Sequence, residues 1–355
     1  MKKSYLMIAA AAAMFAACSS NDTFKEVDVQ EAPIAFEQAL NKTTRATIAS
    51  EANLASEGGF IVYGYKTPTA ATLDWTSYQT IFNNENVKST NSGSTWTYDN
   101  LRFWDKTSTY NFFAIAPYSP SAGTYSLVEN TAPSALKFKI TGATSAISTS
   151  SDDFLIDRDG ALGVDGDYTG THAVVGIDFH HIMAKVQFAL KSTLASGTVT
   201  VTRLVMTGWN SGAGTFTQTL TATPTELVCT EWTIPTAGTG SATLVGSGAT
   251  QSSIALTCSA SATATDVTDW YIMVPQNIAA STLTFTVDYT YANAAGTYSE
   301  TFTDQVATLT AAQVWGTDSH TTYTLDIKPA AIEFDVTSIC GFDVDGGQAT
   351  PIEVK

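Results

Sequence analysis

Apolar and polar residues alternate with a period of two through most of this chain after residue 30. That period puts one set of side chains on a buried face and the other in water, as half-buried β-strands require. The clearest case is Leu283, Phe285, Val287, Tyr289 and Tyr291, separated by Thr284, Thr286, Asp288 and Thr290. The same alternation predicts strands at 136–140, 186–190, 323–327, 332–336 and 352–354. Clusters of Gly, Pro, Asn and Ser at 91–94, 117–123, 158–170, 208–214, 236–250 and 346–351 interrupt these runs, as turns and loops do. Helical periodicity is confined to 77–84 and 308–313, each long enough for a turn or two. Many short strands at this spacing predict an all-β chain of β-sandwiches. The Asp- and Gly-rich stretch 157–171 is the expected junction between one domain at 46–170 and another at 171–328, with 329–355 as a C-terminal extension.

The length of 355 residues fits two domains, and 44% apolar residues are enough to build their cores. A formal charge of −16 excludes a phosphate-neutralising surface, which needs clustered Lys and Arg, so no nucleic acid is expected as a partner. The first residues read differently. Lys2-Lys3 precede an apolar run at 6–17 that is shorter than the roughly 20 residues a membrane-spanning helix needs. A charged start, an apolar stretch of this length and small residues before a cysteine form an export signal. Phe15-Ala16-Ala17-Cys18-Ser19 resembles the end of a bacterial lipoprotein signal, with 1–17 removed and Cys18 left as a lipidated first residue. Acyl chains there would anchor the chain to a membrane, each buried CH₂ contributing about 0.8 kcal/mol.

Residues 18–45 form a separate propeptide-like segment. Its start is polar and acidic, a tether, and Ile34-Ala35-Phe36-Glu37 can form a strand. Arg45 follows in a small, polar linker and is the only arginine of the first hundred residues. Such a site suits a protease cutting between Arg45 and Ala46, and it equally suits a solvated loop. A strand removed from a sandwich exposes an unpaired edge, the usual template for another strand. Ile34, Phe36 and Leu40 would vacate pockets worth at most about 5–9 kcal/mol. Two alternating pieces near the end, Ile332, Phe334 and Val336 and then Ile352 and Val354, are candidates for the replacement or ordinary strands of the second domain.

Candidate chemistry is sparse. Cys229 and Cys258 lie in strand-like segments and could pair in an oxidising compartment, or each could be a small buried apolar residue. His180 and His181 are adjacent on a strand and so point to opposite faces, a poor arrangement for one metal. The acidic stretch Asp152, Asp153, Asp157, Asp159, Asp165 and Asp167 lacks the spacing of a calcium loop. No catalytic motif stands out, and neither a metal, a cofactor nor an enzyme is expected. Trp75, Trp96, Trp104 and Trp209, if exposed, would form a sugar-stacking platform, and the alternative function is then a monomeric surface glycan-binding lipoprotein.

Several segments together resemble one family, the fimbrillins, the subunits of lipoprotein-derived (type V) pili. Leu101-Arg102-Phe103-Trp104 followed by Tyr110-Asn111-Phe112-Phe113-Ala114-Ile115-Ala116-Pro117-Tyr118 is similar to a family strand, as is Asp153-Phe154-Leu155 leading to the passage from Ile177 to Val186. Tyr271-Ile272-Met273-Val274-Pro275-Gln276, and Trp315-Gly316 before Tyr323-Thr324-Leu325, match later features in order. The resemblance implies two tandem transthyretin-like β-sandwiches and export as a lipoprotein to the outer membrane. It also implies a cut by an Arg-specific protease at the position of Arg45, then polymerisation with other pilus subunits by donor-strand exchange. The fimbrium at the cell surface, supporting adhesion, is the implied destination. A C-terminal donor segment fits a stalk subunit; tip subunits can lack one.

Overall fold

The computed structural model describes residues 32–40, 50–68, 78–120, 124–129, 136–143, 146–147, 153–157, 161–166, 174–220, 227–229, 232–234, 237–329, 331–340 and 352–353. It is all-β apart from one short helix. The first ten strands are β1 (Ala35–Leu40), β2 (Phe60–Pro68), β3 (Gln79–Val87), β4 (Ser108–Ala116), β5 (Thr124–Glu129), β6 (Leu136–Ala143), β7 (Ala146–Ile147), β8 (Leu155–Asp157), β9 (Ala161–Asp165) and β10 (Val174–His181). The next seven are β11 (Ala184–Lys191), β12 (Thr198–Asn210), β13 (Gly214–Leu220), β14 (Leu227–Cys229), β15 (Thr239–Val245), β16 (Ile254–Thr257) and β17 (Thr265–Met273). The last are β18 (Gln276–Ile278), β19 (Thr284–Ala292), β20 (Ser299–Thr308), β21 (Gln313–Trp315), β22 (Ser319–Lys328), β23 (Ala331–Cys340) and β24 (Ile352–Glu353).

A seven-stranded sheet in the order β1-β10-β8-β4-β2-β3, with β9 beside β4, dominates the N-terminal half. Both of its faces are covered, which is why β2 and β4 read as nearly continuous apolar runs. Tyr110, Phe112, Ala114 and Ala116 of β4 enter one core with Phe60 and Val62 of β2. Phe113 and Ile115 face the other way, into a core with Ile61, Tyr63, Tyr65, Ile140 of β6 and Phe216 of β13. The second core therefore joins the large sheet to the four-stranded sheet β14-β13-β6-β5. In the C-terminal half, the sheets β24-β23-β22-β11-β17-β7 and β15-β12-β19-β20 enclose a third core around Phe188, Phe285, Val287, Tyr289, Tyr323 and Leu325.

The chain after Ala32 packs as one compact unit. Residue 170 does not mark a change of sheet: β10, β13 and β14, all beyond it, complete sheets built by strands before it. Alternation reveals that a segment is a strand and says nothing of its partner. Two expected loops also carry strands, β9 within 158–170 and β15 within 236–250. The helical turns expected at 77–84 and 308–313 do not form among the described residues: Gln79–Val87 is the edge strand β3, and 309–312 are an irregular link between β20 and β21. The helix that does form, α1 (Glu51–Ser56), is capped by Ser50, whose side chain accepts the Asn53 N–H at 3.2 Å, and it buries Leu54.

Burial raises the pKa of three core phenols. Tyr63 and Tyr271 are pushed up to about 12, and Tyr323 is raised as well despite the N–H that Trp315 donates to it. A phenol held neutral in the fold but free to ionise near pH 10 when unfolded contributes stability that is intact below pH 10 and lost as pH rises toward 12. Urea unfolding at pH 8 to 11.5 is expected to show the midpoint falling only above pH 10. Ultraviolet titration should show these phenols ionising with unfolding.

Candidate functional site

β1 is the strand that the sequence marks as removable, and it lies at the edge of the large sheet. It runs parallel to β10, with Ala35 opposite Val174, Phe36 opposite Val175 and Leu40 opposite Phe179. Just before it, the chain pairs with a second segment on its other side. Ile34 N–H donates to the Arg102 carbonyl at 2.8 Å, Trp104 N–H donates to the Ala32 carbonyl at 3.0 Å, and Pro33 bridges Phe103. The Tyr98 hydroxyl completes this latch by donating to the Ile34 carbonyl at 2.7 Å.

The side chains match that placement. Ile34 and Phe36 are buried, while Glu37 between strand and solvent is exposed. Phe36 sits in an aromatic cage, edge-on to Phe82, Tyr98 and Phe112 at ring-centre distances of 5.3, 5.7 and 5.8 Å. Edge-to-face pairs at this spacing add to the gain from burial. The Arg102 guanidinium stacks 5.4 Å above the Phe82 ring and pairs with Glu85 at 3.2 Å, closing the outside of the cage. Ile34 and Phe36 alone account for about 3–6 kcal/mol of burial. The side chain of Leu40 lies outside the described residues, as do Cys18, Arg45 and Ala46.

Of the two C-terminal pieces, 332–336 belongs to β23, which pairs antiparallel with β22 along its whole length, Ile327 opposite Ile332 and Leu325 opposite Phe334. Val336 is buried in the C-terminal core and Ile332 packs against it. Ile352 stands opposite Val336 in β24 at the sheet edge, and Val354 lies outside the described residues. In this chain both pieces complete their own sheet. A shared sequence pattern links the two ends. Ile34-Ala35-Phe36-Glu37 at the start of β1 and Ile332-Glu333-Phe334-Asp335 in β23 share the order Ile, any residue, Phe, acid.

Other candidate residues fall into structural roles. Cys258 is a free, buried thiol of the C-terminal core, 3.5 Å from the Ser192 hydroxyl, so the disulfide with Cys229 is not formed. Cys229 stands in β14, in the four-stranded sheet. His181 is buried with its Nδ1 2.9 Å from Asp153, and the neighbouring His180 pairs with Asp178 at 3.4 Å. Asp153 and Asp157 are likewise buried, Asp165 lies in β9, and Asp152, Asp159 and Asp167 lie outside the described residues. The sugar-stacking platform does not form from Trp104 and Trp209, which are core residues. Trp104 packs edge-on to Tyr110 at 4.8 Å, and Trp96 is half-buried against Phe60 at 5.0 Å. Trp75 lies outside the described residues.

These features define a class: an all-β, sheet-on-sheet chain whose first strand fills an apolar seat between two segments that precede and follow it in space. A model of the fimbrillin-like family matches residues 44–339, and the chain belongs to that family. The residues that carry the resemblance are core positions: Trp104, Tyr110 and Phe112 wall the first core, and Trp315 Nε1 donates to the Tyr323 hydroxyl at 2.9 Å in the third. A fimbrial protein from Bacteroides vulgatus shares the fold with a TM-score of 0.58 at 20% identity, covering 87% of this chain and 99% of its own. A fimbrial assembly protein from Parabacteroides distasonis is similar at 0.38 and 12% identity, covering 91% and 100%. The tip fimbrial protein Mfa3 from Porphyromonas gingivalis, with a C-terminal truncation, is similar at 0.36 and 8%, covering 88% and 99%. No curated protein matches the chain.

Proposed function

We propose that this chain is a structural subunit of a cell-surface pilus. It is exported as a lipoprotein through Cys18, held at the outer membrane by that lipid, and cut by an Arg-specific protease between Arg45 and Ala46. It then polymerises with other pilus subunits by donor-strand exchange and supports adhesion. The observation that carries this reading is the seat of β1. Its occupant contributes two buried apolar side chains. It is joined to β10 and to 102–104 by backbone pairing, a set of contacts that any strand of matching pattern can make.

The Ile-any-Phe-acid order shared by β1 and β23 supplies such a strand. With Ile332 in the place of Ile34 and Phe334 in the cage of Phe36, β23 of a second copy reproduces the apolar face of β1 and keeps its acid toward water. This contact is head-to-tail and does not close on itself, so it builds a fibre. Exchange requires β23 to leave β22 of its own chain, and the fibre then has a stalk subunit's connectivity. Of the three arginines besides Arg45, Arg102 is engaged with Glu85 at 3.2 Å, Arg203 with Asp304 at 2.9 Å, and Arg158 lies outside the described residues. The sandwiches at 46–170 and 171–328 then form the subunit body, with β10, β13 and β14 shared across the division.

Arg45→Ala tests the reading. The variant is expected to be exported, folded and lipid-bound, yet to run as a monomer where the parent forms detergent-resistant ladders and begins at Ala46. Normal ladders from the variant would overturn it.

A further inference from the structure

The two backbone-to-backbone bonds at 102–104 come from the segment that is expected to leave. Ile34 N–H donates to the Arg102 carbonyl at 2.8 Å, and Trp104 N–H to the Ala32 carbonyl at 3.0 Å. The Tyr98 hydroxyl, bonded to the Ile34 carbonyl at 2.7 Å, also accepts the Arg102 N–H at 3.3 Å. An endopeptidase grips its substrate as an extended strand, pairing with the main chain. Here residues 32–34 already occupy that main-chain edge. On either side of the bond, Phe103 is 47% exposed, while the Arg102 guanidinium pairs with Glu85, stacks on Phe82 and donates to the carbonyls of Ile81, Asp99 and Asn100, partly exposed contacts that a protease pocket would have to replace.

We propose that the peptide bond between Arg102 and Phe103 is a second, conditional cleavage site for an arginine-specific endopeptidase. It is closed while a strand occupies the seat of β1 and open while the seat is empty. The step is a hydrolysis: water oxygen bonds to the Arg102 carbonyl carbon, the bond to the Phe103 nitrogen breaks, and the departing amine takes a proton, leaving a carboxylate on Arg102. This rests on the reading that a cut at Arg45 frees β1, and it adds a fate for subunits that are cut and not refilled. The second cut separates Tyr98 from Trp104, two walls of one core, and so disables the seat. Subunits joined to a donor strand are spared.

The test uses the purified full-length chain, digested with an arginine-specific endopeptidase and followed by intact mass. Products cut at Arg102 are expected only from chains already cut at Arg45. In Arg45→Lys, the Arg102 cut is expected to slow by at least about tenfold, because cleavage follows the population of the open form. In Arg45→Lys combined with Ile34→Ser and Phe36→Ser, which unseats β1 without a cut, Arg102 is expected to be cleaved while Arg203, inside the central strand β12, stays whole. The proposal is overturned if Arg45→Lys is cut at Arg102 as fast as the parent, if the unseated variant resists at Arg102, or if Arg102 is cut only together with Arg203. A parent chain that resists at Arg45 counts against the assembly reading alone, and the unseated variant still decides this one.

Discussion

Full-length chain carrying Phe36→Ala is expected to lose about 3–5 kcal/mol of stability in its N-terminal half, the usual cost of removing a buried ring. The reason is the cage. Three rings lie edge-on to Phe36 within 6 Å, and Phe82 and Tyr98 also pack on each other at 5.1 Å, so the walls cannot collapse inward without breaking their own contacts. Undocking of β1 sets the ceiling, since a strand that has left its seat has nothing further to lose. Urea unfolding, read through tryptophan fluorescence, measures the difference. The control is the same pair of proteins after cleavage at Arg45 and removal of the released segment. Parent and variant are then chemically identical from Ala46 onward, and the difference must vanish. A difference that persists would place the effect of Phe36 somewhere other than the seat.

The alternation that announces β19 is legible because one of its faces packs in the C-terminal core while the threonines of the other stay half-exposed. β10 is as clear, with Val175, Ile177 and Phe179 all buried on one side. The edge strand β3 was illegible for the opposite reason: only Phe82 and Val87 of its nine residues are buried, so its composition looks like a loop or a helical turn. α1 escapes notice because six residues with one buried leucine make no periodic pattern. Of the seat, the occupant could be read and the walls could not. Ile34 and Phe36 stand out locally, but their neighbours Val174 and Arg102 are remote in sequence, and nothing in a period of two names a partner. Whether Trp104 and Trp209 are core or surface rings was left open by the sequence for the same reason. Neither lies in a run of alternating apolar residues, and their burial is decided by strands remote in sequence.

The strand that refills the seat is expected to be chosen by its phenylalanine. A synthetic peptide spanning 329–340 is expected to bind the shortened chain that starts at Ala46, and the same peptide with Phe334→Ala to bind about 10- to 100-fold more weakly, as burying one large side chain is worth about 1.5–3 kcal/mol. Ile332→Ala is expected to weaken it less, since it removes a smaller apolar side chain, whereas Phe36 meets three rings edge-on. Exchanging Glu333 for Lys should change little, because the corresponding Ala35 does not enter the core and the β23 residue is exposed in its own sheet. Register gives the sharper result. Because the side-chain period is two, a peptide with one residue inserted between Glu333 and Phe334 turns its phenylalanine to the wrong face and should lose binding as fully as Phe334→Ala. Fluorescence anisotropy of the labelled peptides, with ladder formation by the matching full-length variants, reads both effects. Equal binding by all five peptides would mean that the seat selects for backbone alone, and the shared Ile-any-Phe-acid order would have no role in joining one subunit to the next.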